Sequence, residues 1–215
     1  MKFDKNSPHS MTCPWFESDF ATSILKKKKI SPKLRKEALF FIKNGYLIIK
    51  NALNANIVDK TLKDFNKIIN SNSFKKNPDY FHYNKYPRVI EGWRKGKFIK
   101  KVAKNKKIEK YLKFFYHKKP LPISTINFLA GTEQPLHSDY IHFGSFPELY
   151  LAGVWYAFEK VDKNNGPLTI VPRSHKLNYI NFSDLSLEIP KTTKELKSNY
   201  SIYEKYLSEL VIEKK

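Results

Sequence analysis

The chain has 215 residues, 41% of them apolar and 15% aromatic, and its 40 basic and 20 acidic side chains leave a net charge of +20. That length suits one domain with at most a small appendage, and the apolar share is too high for a disordered polymer. No apolar run approaches the ~18 residues of a membrane helix, so a soluble protein with no membrane partner is expected.

The charge surplus raises nucleic acid as a partner, yet only Arg35, Arg88, Arg94 and Arg173 among the basic residues are arginines, and the lysines are spread along the chain. Recognition of phosphate and bases leans on the planar arginine fork, so no specific nucleic-acid partner is expected. The single Cys13 excludes an internal disulfide and a multi-cysteine zinc site, and it has no histidine motif beside it that would make it a nucleophile. Met1 to Ser10 carries no apolar core of a secretory signal, so a cytoplasmic location is the expectation.

Residues 1–30, with Pro8, Pro14 and the run Lys26 to Lys29, read as a polar, solvated lead-in. Ser31 followed by Pro32 then starts a helix that sets Leu34, Ala38, Phe41 and Ile42 on one face, and Asn44-Gly45 closes it. Tyr46 to Ile49 reads as a buried strand. Asn56 to Ile69 reads as a second amphipathic helix, and Lys106 to Tyr116 as a third. From Pro120 to Pro172 the chain changes to short apolar or alternating runs, Ile123 to Leu129, Tyr150 to Phe158 and Leu168 to Val171, separated by glycine, proline and asparagine turns. An all-β body behind a helical front is predicted. Thr193 to Ile212 returns to helical spacing, with Leu196, Tyr200, Tyr203, Leu207, Leu210 and Val211.

The sharpest chemical feature is His137-Ser138-Asp139. On an extended backbone, positions i and i+2 project to the same side, so the imidazole and the carboxylate can reach one ion together. They form two thirds of the two-histidine, one-carboxylate facial triad that leaves three positions open on non-haem Fe(II). No other constellation competes. A glycine-rich phosphate loop and a Gly-x-Ser-x-Gly elbow are absent, there are only seven glycines, and Glu133 and Glu148 are not spaced as a carboxylate pair.

The surroundings extend the triplet. His137-Ser138-Asp139-Tyr140-Ile141-His142-Phe143 is followed by Leu151 to Glu159, by Asn164-Asn165-Gly166-Pro167-Leu168, and by Val171-Pro172-Arg173-Ser174-His175-Lys176. In that order and spacing the chain resembles the phytanoyl-CoA dioxygenase-like family of Fe(II)- and 2-oxoglutarate-dependent oxygenases, strongly from Ile123 to Lys176 and more faintly back to Asn44-Gly45-Tyr46. The resemblance implies a single domain over 31–215, mainly β with α: a double-stranded β-helix, or jelly roll, buttressed by N-terminal helices. It implies Fe(II) and the cosubstrate 2-oxoglutarate, hydroxylation of an aliphatic carbon of a small molecule, His137 and Asp139 as metal ligands, and Asn127 and Trp155 as cosubstrate contacts. Arg173 stands where the family usually has glycine.

One part of the pattern is missing. The family's third ligand is a downstream histidine, with an arginine about ten residues beyond it that pairs with the cosubstrate, but this chain has no histidine after His175 and no arginine after Arg173. The closing strands are absent from the sequence as well, so the chain reads as truncated before them. Unpaired ladder edges would then favour self-association or completion by a partner chain. His142 and His175 are the rival ligands; His142 is favoured as a residue lining the site or partly exposed, and His175 as part of a turn. His9, His82 and His117 read as surface residues. Two functions stay open: an oxygenase, or a degenerate relative without turnover that acts as a binding module.

Overall fold

The computed structural model describes residues 13–80, 86–131, 134–143 and 149–213. His9, His82, Glu133 and Glu148 lie outside the described residues. In chain order the elements are α1 (Ala21–Lys27), α2 (Pro32–Asn44), α3 (Ala55–Ile69), α4 (Asn72–Lys76), β1 (Asp79–Tyr80) and β2 (Pro87–Ile90). They continue with α5 (Gly92–Lys95), α6 (Lys97–Ala103), α7 (Lys106–Tyr116), β3 (Ile126–Phe128), α8 (Tyr140–Phe143) and α9 (Thr193–Glu213). The chain divides into two compact units. One takes Met1–Leu47, Gln134–Gly153 and Thr169–Lys215, and the other takes Ile48–Glu133 and Val154–Leu168. No helix among the described residues is long and apolar enough to cross a membrane.

The expected mainly-β jelly roll is not what the chain forms. Of the described residues 51% are helical and 5% lie in strands. The strands form one small antiparallel sheet, β1-β2-β3, with Asp79 opposite Arg88 and Val89 opposite Asn127. Of the runs expected as strands, only Ile126–Phe128, inside Ile123 to Leu129, joins a ladder; Tyr46 to Ile49, Tyr150 to Phe158 and Leu168 to Val171 join none. The physical reason is that apolar alternation shows which residues prefer shelter, whereas a strand exists only once another backbone takes its N–H and C=O groups. Ile48 is 74% exposed, the opposite of a buried strand residue.

In the first unit the described part of the segment expected to be a solvated lead-in, from Cys13 on, contributes to the core. A 3-10 turn at Trp15–Glu17 leads into α1, and Trp15, Phe16, Ala21 and Leu25 are buried. The Phe16 ring meets Phe41 of α2 edge-on at 5.1 Å. Arg35 of α2 donates to the carbonyls of Leu25 and Lys28, both at 2.6 Å, satisfying groups that the end of α1 leaves open. The charge run had hidden the two aromatic anchors ahead of it.

Helix α2 follows its sequence signals closely. The Ser31 hydroxyl accepts from the Leu34 N–H at 3.2 Å, Pro32 occupies the first turn, and Gly45 ends the helix at φ +80°. The signature segment Pro172-Arg173-Ser174-His175-Lys176 seals the same end. The Arg173 N–H donates to the Asn44 carbonyl at 3.0 Å, and His175 Nε2 donates to the Ile42 carbonyl at 3.0 Å. Arg173 takes the left-handed conformation at φ +69°, which accounts for glycine being usual there.

The second unit centres on Phe65 and Ile68 of α3, Val89 of β2 and Ile99 of α6, flanked by Ile69, Phe74 and Trp93. Asn54 caps α3 by accepting from the Ile57 N–H, and the Asp64 carboxylate accepts from the Phe98 N–H in the first turn of α6. Asn105 caps α7 and also donates to the Ala52 carbonyl at 2.8 Å. His117 is exposed in the left-handed C-cap of α7, the surface position expected for it.

Candidate metal centre

The His137 triplet lies on a segment that belongs to no ladder and turns directly into α8. The Ser138 carbonyl accepts from the Ile141 N–H, and the Asp139 carbonyl accepts from the N–H groups of His142 and Phe143. The two side chains nevertheless come together. His137 Nε2 lies 3.4 Å from Asp139 Oδ1. Two cis donors each about 2.1 Å from one octahedral ion stand about 3.0 Å apart, so the pair has close to the span of a shared metal.

Hydrogen bonding orients the imidazole. His137 Nδ1 donates to the Pro135 carbonyl at 2.7 Å, which turns Nε2 toward the carboxylate. A carbonyl behind the distal nitrogen is the arrangement metal-bound histidines adopt. Two acceptors this close require a cation between them, either a proton on the imidazole or a metal ion. The surroundings of the two groups make the same demand. Burial of the ring pulls the His137 pKa down, but the hydrogen bonds it donates to Asp139 and Pro135 outweigh it and hold the group above its ordinary value. The same imidazole holds the Asp139 carboxyl below its ordinary range, against the opposing effect of burial.

The walls of this centre come from within its own unit. The His142 ring stands 5.4 Å from that of His137 and 4.8 Å from that of Tyr200 on α9, and its Nε2 is 3.5 Å from Gln134 Nε2. His142 therefore lines the centre. Tyr203 is 2% exposed, and the buried Glu204 adds negative potential at His137. A Cβ at Gly153 would lie 2.9 Å from Asp139 Oδ2, so a side chain there would displace that carboxylate. Gly153→Ala should thus swing the carboxylate aside, weakening divalent-metal binding about 10-fold while leaving the urea midpoint nearly unchanged, a split that parallel Co(II) and urea titrations would read.

Sequence reasoning missed Tyr203, Glu204, Gly153 and the Pro135 carbonyl. A glycine inside an apolar run was the only local hint, for close approach at Gly153. Tyr203 and Glu204 sit more than sixty residues downstream on a helix whose spacing reads simply as core.

His175 is engaged with α2, and its Nδ1 is buried without a partner among the described residues. Asn127 and Trp155 belong to the second unit. Asn127 is half-buried on β3, and its Oδ1 is buried without a partner among the described residues over Gly92, where a Cβ would come within 2.6 Å of it. Trp155 is 51% exposed on a stretch without a ladder. No group of three or more histidine, cysteine, aspartate or glutamate side chains among the described residues is arranged to hold a metal.

Comparison with known proteins agrees with the order of motifs. The family profile described as phytanoyl-CoA dioxygenase (PhyH) matches residues 41–195. A "Probable phytanoyl-CoA dioxygenase" of Caenorhabditis elegans is 25% identical over 168 residues, covering 64% of this chain and 51% of the relative. "Phytanoyl-CoA dioxygenase, peroxisomal" of Mus musculus is 23% identical over 157 residues, covering 64% and 46%, and the Bos taurus protein of the same description is 22% identical over 156 residues, with the same coverage. The chain spans about half the length of the curated relatives it matches. No solved structure matches it. With the profile covering well over half of its residues, the chain belongs to the phytanoyl-CoA dioxygenase family.

Proposed function

We propose that this protein is an Fe(II)- and 2-oxoglutarate-dependent dioxygenase that hydroxylates an aliphatic carbon of a small molecule, with His137 and Asp139 as two of the iron ligands. The observation that carries the reading is His137 Nε2 facing the Asp139 carboxylate at 3.4 Å, in a chain of this family. Iron and 2-oxoglutarate, when bound, would supply the activation of dioxygen. The chain's own residues perform the preparatory work. Pro135 fixes the His137 tautomer, Asp139 stays ionised, and Gly153 leaves that carboxylate room to turn toward the ion. Asn127 and Trp155 are proposed as cosubstrate contacts on the family correspondence alone. A cytoplasmic location is proposed because the lone Cys13 suits a reducing compartment; "peroxisomal" belongs to the names of the mouse and bovine relatives.

A second reading is favoured by one observation: among the described residues no third metal-binding side chain joins the pair. On that reading the protein is a binding module without turnover. Anaerobic addition of Fe(II) and then 2-oxoglutarate separates the two. A visible charge-transfer band, followed by consumption of 2-oxoglutarate when dioxygen is admitted, supports the oxygenase. A stable band without consumption supports the binding module, and no band at saturating iron overturns both.

A further inference from the structure

The sheet of the second unit ends on an open edge. Its last strand is β3, and among the described residues no backbone pairs with the outer side of that strand. The pairing with β2 sets which groups face outward. The Glu91 N–H donates to the Thr125 carbonyl at 2.8 Å, and Val89 stands opposite Asn127, so Thr125 and Asn127 turn their N–H and C=O groups toward β2. By alternation those of Ser124, Ile126 and Phe128 point away from the sheet. Such an edge is a template for another strand, and proteins commonly guard it with lysine. Here the guard is missing: Pro120 to Thr132 is the longest stretch without a charged side chain, in a protein with 40 basic residues. Its apolar side chains meet solvent. Leu121 is 80% and Ile123 54% exposed, and Phe128 and Leu129 are exposed as well.

The charge pattern identifies the occupant. Ile126 is the midpoint of the uncharged stretch, with Lys119 just beyond one end and Glu133 just beyond the other. Two copies laid antiparallel about Ile126 therefore set uncharged residues against uncharged residues, and bring the basic end of each stretch to the acidic end of the other. In that register Ile126 meets its own counterpart, and Ser124 meets Phe128 of the partner subunit. All of these face outward, as a hydrogen-bonded pairing requires. We infer that β3 is a homodimerisation edge, joining the sheets of two copies about a two-fold axis at Ile126. The net charge of +20 on each copy opposes this at long range, so salt strengthens the pairing.

Sedimentation velocity of the full-length protein should show a monomer–dimer equilibrium whose dissociation constant falls about 3-fold between about 50 and about 300 mM salt. Phe128→Pro removes an outward N–H and keeps the register with β2, and Ile123→Lys puts a charge on the edge; each should weaken dimerisation about 10-fold or more. Ile189→Lys adds the same charge at an 87% exposed side chain outside the strand and should leave the dimer unchanged. The register has its own readout. In a Cys13→Ser background, Ile126→Cys should give a disulfide-linked dimer on mild oxidation, because hydrogen-bonded partners stand about 5.5 Å apart at Cα, and Ile189→Cys should not. Monomers at every salt and protein concentration overturn the inference. A dimer that survives both edge variants and gives no cross-link through Ile126→Cys also overturns it, since another surface then holds the copies. Loss of the dimer as salt rises does so too, because an anionic species would then be bridging them.

Discussion

Gly45→Ala should destabilise the protein by about 2–3 kcal/mol, the largest single-methyl effect expected outside the buried core. Two costs add. At φ +80° any L side chain meets the following carbonyl, a penalty of roughly 1–2 kcal/mol. The new Cβ would also lie 2.4 Å from His175 Nδ1, 2.7 Å from its Cγ and 3.0 Å from its Cβ, so the entire imidazole must leave and not merely its tip. Its departure breaks the bond from Nε2 to the Ile42 carbonyl, about 1 kcal/mol, and reopens the end of α2. Alanine's lower entropy in the unfolded chain returns about 0.4–1 kcal/mol. Urea unfolding should show the midpoint fall with an unchanged slope. The double variant Gly45→Ala, His175→Ala should lose less than the sum of the two single losses, since without the imidazole only the backbone penalty remains. A Gly45→Ala midpoint equal to that of the unmodified protein would show that His175 does not seal this helix.

What the sequence reveals and what it hides divide along the range of the forces involved. Helices α2, α3, α7 and α9 begin and end within a residue of their predicted limits, because a cap such as Ser31 or Asn105 and a face such as that of Thr193 to Ile212 are settled within a few residues. Strands are settled elsewhere in the chain. Tyr150 to Phe158 has every local mark of a strand and finds no ladder, whereas Pro87–Ile90, only four residues long and opening on a proline, pairs on both sides. The same division runs through the candidate site. His137 and Asp139 meet because they are two residues apart, which is visible in the sequence. That Gly153 makes room for the carboxylate depends on chain segments that meet only after folding. The family resemblance located the motif segments and carried a fold expectation that the backbone does not bear out.

His137→Ala should abolish Fe(II) and Co(II) binding, a loss well beyond 100-fold. The magnitude follows from the number of donors. Groups that only orient a metal ligand cost 10–100-fold when removed, so removing one of two protein donors must cost more. Asp139→Asn should come close to it while changing the side chain's shape hardly at all, because the amide keeps an oxygen donor and loses the charge that complements a divalent ion. The rival histidines give the contrast. His142 stands 5.4 Å ring to ring from His137 with its Nε2 turned to Gln134, so His142→Ala should cost less than 10-fold. His175 donates its Nε2 proton to α2, so His175→Ala should leave metal affinity intact and lower stability instead. Isothermal titration with Co(II), beside urea unfolding of each variant, separates the two kinds of loss. His137 is only partly buried, 23% exposed at the side chain, so its truncation should leave the unfolding midpoint within about 0.5 kcal/mol of the starting protein. Equal metal affinity for His137→Ala and the unmodified chain would remove this pair as the place where the ion binds.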